Sequence, residues 1–461
     1  MAAIHFPNMA YGWDSIPAKA EPIIFRNTTV WTNEKEGIVK NYDVLINEGK
    51  ILMLGHKIDL KLMFPKLADK VREIDAKGLH LTSGIIDEHS HIAISRGVNE
   101  AGQAVTAEVS IEDVVNSDDI NIYRQLSGGV SASQLLHGSA NPIGGRSAII
   151  KLRWGQTPQK MLINDAKGFI KFALGENVKQ TNWGDHNAVR FPQTRMGVEQ
   201  VFYDAFIRAK EYQAEWELYN AKSKRQKKKS AAPRRDTELE VLAEILDSNR
   251  FISCHSYIQS EINMLMHVAD SMGFTVNTFT HILEGYKVAD KMRAHGAAGS
   301  TFSDWWAYKF EVNDAIPYNG AIMHKQGVLT AFNSDDAEMG RRLNQEAAKA
   351  VKYGGISEEE AWKFVTLNPA KMLHLDDRMG SIKAGKDADL VLWNGHPLSV
   401  YSKVKQNYID GIPYYDEERD AAMRKAVVKE RERIIALMLA EKKKGKETQK
   451  VKKEKNKLYE C

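Results

Sequence analysis

Six short apolar runs, at residues 85–91, 130–137, 168–175, 251–255, 275–281 and 327–333, alternate with stretches of helical periodicity at 197–218, 238–246, 260–272, 339–353 and 357–368. Runs this short suit strands, and their alternation with helices is what parallel strands joined by crossover helices require. The chain has 461 residues, whereas one α/β barrel takes about 250, so a large domain plus a smaller one is expected. Hydrophobic residues make up 43% and charged residues 27%, a balance that supports a sizeable core and excludes disordered and collagen-like classes. The two cysteines, Cys254 and Cys461, lie on an internal run and at a free end, where no bridge is expected.

The ends of the runs carry the chemistry. His89 and His91 close the first run two residues apart, and strand alternation sends both imidazoles to one face. His255 closes the fourth run, His281 the fifth, and Asp335 follows the sixth. The step from His255 to His281 is about one β/α unit and the step on to Asp335 about two, so each group falls at the C-terminal end of a strand, the face where barrels place their chemistry. A core histidine satisfied by a carbonyl would account for any one of them. Four histidines in register with an aspartate point instead to a bound divalent cation.

Near the start, residues 22–31 and 43–55 are β-rich runs punctuated by Asn, Glu-Gly and Gly, and another at 387–393 follows the turn Lys383-Ala-Gly-Lys386. The two chain ends are expected to build one small domain together. Ser357-Glu-Glu-Glu360 has the form of a capping box. The net charge of +4 is unevenly spread: residues 222–235 hold eight Lys/Arg and no acid, residues 420–461 contribute +7, and the remaining body is at −11. Such basic runs can grip phosphates. Neither interleaves aromatic residues for base stacking, so they read as a solvated surface insertion and a helical tail, and nucleic acid is not an expected partner. The tail could dock on a second copy of the chain. No stretch approaches about 20 apolar residues, so no membrane span is expected. The start lacks a basic and apolar leader, which predicts a cytoplasmic protein, or an exported one if the linker-like residues 1–19 mark a piece of a longer precursor.

At this point the sequence resembles the amidohydrolase superfamily of metal-dependent hydrolases. Ser83-Gly-Ile-Ile-Asp-Glu-His-Ser-His91 is similar to its strand-one signature, Pro-Gly-x-Ile-Asp-x-His-x-His, with Ser83 in place of proline. Leu367-Asn-Pro-Ala-Lys-Met-Leu-His-Leu-Asp-Asp-Arg-Met-Gly-Ser-Ile-Lys-Ala-Gly-Lys-Asp-Ala-Asp-Leu-Val-Leu-Trp393 looks like the segment that leads such chains from the last barrel helix back into a β-sandwich. The resemblance covers residues 22–414, and the segments 138–145 and 173–177 look like an imidazolonepropionase-like branch. It implies an α/β fold: a TIM-type (β/α)8 barrel over 83–382 carrying the basic insertion 222–235, and a small β-sandwich from 22–82 and 383–414. An N-terminal extension (1–21) and a basic helical tail (415–461) flank these.

The resemblance also implies a ligand set. His89 and His91 would hold an inner cation and His255 and His281 a second one, most simply zinc, one or two ions in all. Asp335 would touch the cation and shuttle protons, with Asp336 a weaker candidate, and His281 would also act in catalysis. Glu176, nearer the end of its strand, is the favoured bridging ligand, with a carbamylated Lys171 as the alternative. His137 and Arg146 are expected to contact a small-molecule substrate, because Gly144 and Gly145 permit close approach and Arg146 could hold a carboxylate. The implied activity is hydrolysis of a carbon–nitrogen bond in an amide, cyclic amide or small peptide. Rival readings are a prolidase-like dipeptidase, a ring deaminase, and a non-catalytic barrel that only binds. Superfamily deaminases commonly carry glutamate three residues beyond the strand-five histidine, where this chain has Ile258.

Overall fold

The computed structural model describes residues 11, 19–95, 97–179, 190–305 and 309–447. Most of the expected extension, and the tail beyond residue 447 with Cys461, lie outside the described residues. An eight-stranded sheet is assembled from both ends of the chain. Strand His80–Ser83 pairs in parallel with Ile23–Trp31 on one side and antiparallel with Leu390–Trp393 on the other. Alternation along the strands divides their side chains between two cores: Ile23, Phe25, Val44 and Ile46 enter one, while Ile24 and Leu45 join Ile58 and Leu60 on the opposite face.

The middle of the chain forms two further sheets. In one, Gly168–Ala173, Arg250–His255, Thr278–Thr280, Ala298–Thr301 and Thr330–Phe332 run in parallel, with Ile143–Arg146 antiparallel on Gly168–Ala173. In the other, Ile85–Ser90 is parallel to Val130–Leu135, which pairs antiparallel with Ala148–Lys151. Every residue of Ile85–Ser90 and Val130–Leu135 is buried, as expected of parallel strands covered on both faces. The two sheets meet where the Asp335 amide donates to the His89 carbonyl (3.0 Å) and the Ser334 amide to the Asp87 carboxylate (3.0 Å). Helices Gln259–Met272, Ala289–His295 and Asn319–Lys325 separate successive strands.

The basic insertion joins helices Arg195–Asn220 and Thr237–Leu246. It holds one short helix, Lys224–Lys227, closed by a reciprocal Ser223–Gln226 capping box, and its lysines are largely exposed. The box expected at Ser357 is only half made. Ser357 accepts from the Glu360 amide, but the Glu360 carboxylate turns forward to the Lys363 ammonium one turn on. At the seam between the three-stranded and eight-stranded sheets, the fully buried Lys151 Nζ lies 2.8 Å from Asp387, 2.9 Å from Asp389 and 2.5 Å from Asp410. Among the described residues no helix is long and apolar enough to cross a membrane.

Candidate metal centre

Strand Ile85–Ser90 and the residue after it carry His89 and His91 to a common point, with their Nε2 atoms 3.3 Å apart. The ring tautomers follow from what the other nitrogens meet. His91 Nδ1 faces the Leu136 carbonyl at 2.9 Å, which can only accept, so that nitrogen carries the proton. His89 Nδ1 lies 3.0 Å from Thr280 Oγ1, and the Thr280 hydroxyl donates to the Glu88 carboxylate at 2.9 Å, so His89 Nδ1 is again the donor. Both Nε2 atoms are therefore left as acceptors facing one another, an arrangement that a shared cation or proton would relieve, and His89 Nε2 also faces the Lys171 ammonium.

Asp335 closes the arrangement, with Oδ1 3.2 Å from His91 Nε2 and 3.4 Å from His89 Nε2, and Oδ2 4.0 Å from His281 Nε2. Ligand atoms of His89, His91 and Asp335 all fall within 4.8 Å of one another. His255 and His281 stand beside them, their ring centroids 4.3 Å apart, and His281 stacks on His89 at 4.9 Å. His255 Nε2 and both ring nitrogens of His281 are buried with no hydrogen-bond partner. Orphaned buried nitrogens are costly unless an ion or water takes them. His281 (φ 37°) and Asp335 (φ 50°) also occupy the left-handed backbone region, strain of a kind that gathers at functional sites.

Burial drives the histidines toward their neutral, ligating form. His89 and His255 are held well below the ordinary imidazole value by desolvation, reinforced by the Lys171 charge and by neighbouring imidazoles. His281 falls to about 3, again chiefly through burial and despite the opposing pull of Asp335. Burial would raise Asp335, but its close contact with His91 and the nearby Lys171 charge outweigh it and keep the carboxyl below its usual range. Neutral imidazoles around an ionised carboxylate form a donor set for a borderline divalent cation. The residues present fit such an ion.

Of the two bridging candidates, Lys171 reaches the cluster, its Nζ 2.9 Å from His89 Nε2. Glu176 does not join the three-ligand group. Gly175 turns the chain at φ 81°, and the Glu176 amide is drawn to the buried Glu311 carboxylate at 2.9 Å. Neither expected substrate contact stands free at the cluster. His137 spends both ring nitrogens on backbone, Nδ1 donating to the Gly138 carbonyl (2.7 Å) and Nε2 accepting from the Glu100 amide (2.7 Å); burial lowers it to about 4. Arg146 pairs in register with Ile170 and lines a cavity beside Gly168 and Arg250, where the strands begin. Asp336 turns its carboxylate to the amides of Glu338 and Met339. Thr280 and Glu88, which hold His89 in place, are not among the expected site residues; their position directly beside His281 and His89 is the signal that the sequence offers for them.

Residues 267–412 match the model of the Amidohydrolase family. Over 431 residues the chain is 29% identical to the amidohydrolase tasK of Hapsidospora irregularis, a match covering 86% of this chain and 43% of that protein, so the chain spans under half the length of that relative. A 135-residue stretch, 29% of this chain and 33% of its counterpart, is 28% identical to an imidazolonepropionase of Thermoplasma volcanium. Among solved structures, an amidohydrolase from Thermotoga maritima MSB8 superposes with a TM-score of 0.75 at 32% identity, covering 86% of this chain and 100% of that one.

Proposed function

Because the chain belongs to the amidohydrolase superfamily, whose members contain a TIM barrel within an α/β fold, we propose that it hydrolyses a carbon–nitrogen bond in an amide, cyclic amide or small peptide. The observation that carries this reading is the pair of facing Nε2 lone pairs on His89 and His91, each tautomer locked by an acceptor on its far side. We assign residues 83–382 to a (β/α)8 barrel, and 22–82 with 383–414 to a composite β-domain.

A divalent cation, zinc in the simplest case, would supply Lewis acidity and lower the pKa of water from 15.7 toward about 7. His89, His91 and Asp335 would hold it, with His255 and His281 available to a second ion. Lys171, once carbamylated, would serve as the bridging ligand: its ammonium loses a proton, the free amine adds to carbon dioxide, and the adduct loses a second proton to become a carbamate anion. That change converts a buried cation among four imidazoles into the second negative charge a divalent pair needs. Asp335, held ionised, accepts a proton from the attacking water and returns it to the departing nitrogen. If only one ion is bound, His281, whose buried ring nitrogens have no hydrogen-bond partner, would polarise the substrate carbonyl.

Elemental analysis of protein prepared without chelators, followed by a screen of N-acyl amino acids, dipeptides and cyclic amides, tests the reading. Stoichiometric divalent metal and turnover of at least one class, both lost in His91→Ala, is the expected result. Protein that neither retains nor takes up a divalent metal would refute it. The imidazolonepropionase stretch favours beginning with cyclic amides.

A further inference from the structure

Arg146 and Ser147 leave two polar atoms unexplained at the far end of the strands from the histidines. Arg146 Nε and Ser147 Oγ are both buried with no hydrogen-bond partner, and Ser147 is only 7% exposed. Arg146 commits one terminal nitrogen to the Glu108 carbonyl (2.9 Å), and neither it nor Lys167 makes an ion pair among the described residues. Both line a cavity of about 90 Å³, together with Arg250, Asn164 and Ser147. Among the described residues, Glu112 is the one carboxylate on its wall. Arg250 is partly neutralised by Glu244 and also donates to the Phe169 carbonyl, so the lining keeps an excess of positive charge and of unused N–H and O–H donors.

Buried donors without acceptors call for an unseen occupant. Sites for drug-sized ligands begin near about 300 Å³, so this cavity suits an ion or the charged end of a small molecule. Guanidinium forks favour the oxygens of phosphate or carboxylate. We propose that this cavity is a binding site for a tetrahedral oxyanion of the phosphate class, separate from the histidine cluster. Arg250 opens the strand that His255 closes, and five residues at about 3.3 Å each keep the anion clear of the hydrolytic centre.

Calorimetric titration of the full chain with inorganic phosphate, in chloride buffer, tests the site. Saturable binding is expected. Arg146→Met should weaken it by about tenfold or more, the loss of a charge-assisted hydrogen bond. Ser147→Ala, which removes a single unpaired hydroxyl and leaves the fold intact, should weaken it by less. Thermal melting without phosphate checks that both variants are folded. Glycerol phosphate distinguishes the source: binding as tight as that of the free ion supports a monoester reaching in from solvent, and rejection supports free phosphate. Absence of saturation in the wild type overturns the proposal. So does undiminished binding in both variants, which would put the anion at the histidine cluster instead.

Discussion

Two lysines sit in the interior, Lys151 at 0% exposure and Lys171 at 1%, and their surroundings differ in kind. Lys151 is wrapped by Asp387, Asp389 and Asp410, with Lys50, Arg153 and Arg378 adding counter-charge to the same carboxylates. Burial alone would strip its proton, but the three carboxylates outweigh that and hold it protonated. Lys171 meets an imidazole nitrogen, with Asp335 the one carboxylate in the group of ligand atoms beside it. Both neighbourhoods gather three residues able to bind metal. In one the charges already close on themselves; in the other nitrogens are left orphaned. A cluster whose charges close on one another holds the fold together, and one whose buried nitrogens lack partners has a donor set that fits a cation.

The comparison can be broken most directly at Asp335. Asp335→Asn should lower kcat/KM by about 10²–10⁴-fold, the scale of a lost proton shuttle, while leaving the melting temperature nearly unchanged; a large fall in stability with turnover retained would make the carboxylate structural. Next comes Lys151→Met, which strands three carboxylates and should cost about 3–5 kcal/mol in urea unfolding. Lys171→Met should cost little stability and abolish metal retention. Equal destabilisation by the two lysine substitutions would erase the distinction drawn above.

His137 extends the contrast to a histidine whose nitrogens are both satisfied. The folded chain keeps it neutral to about pH 4, whereas the unfolded chain protonates it from the ordinary value of 6.5. The folded state thus binds fewer protons in that window. Its contribution is fully present above pH 6.5 and is lost as the pH falls toward 4, by about 3 kcal/mol. Subtracting the stability–pH curve of His137→Gln from that of the wild type isolates the effect, and a flat difference would contradict it. The smallest expected change is Ser357→Ala, about 1 kcal/mol for a helix cap remote from both lysines, read from the same urea curves as a baseline.

The convergence of His89, His91, His255, His281 and Asp335 was legible because each ends or follows an apolar run, and parallel strands bring such ends to one mouth. Which of Lys171 and Glu176 lies nearer the cluster was not. Alternation puts Lys171 on the face of the strand shared with Phe169, which packs on Ile86 and Ala132, whereas Glu176 lies past the turn at Gly175, where period-two logic stops. The backbone partner of His137 at Glu100 comes from a separate loop, 37 residues earlier, which no local pattern around His137 reveals. Strand Ala298–Thr301 is not legible in the sequence, since Ala-Gly-Ser-Thr has no apolar signature. Its smallness follows from packing: a Cβ on Gly299 would lie 2.9 Å from Met323 Sδ, so the neighbouring helix supplies the bulk that the strand lacks.

The union of His80–Ser83 with Leu390–Trp393 governs when the protein can be finished. The bond from the Trp393 indole to Thr82 spans 311 positions, and at a translation speed of about 5–20 residues per second the early strand waits roughly 15–60 s on the ribosome for its mate. Until then one edge of that strand offers unsatisfied amides to any passing chain. The burden on chaperones during synthesis therefore falls on the first hundred residues, and a nascent chain halted before Trp393 should be the form they hold longest.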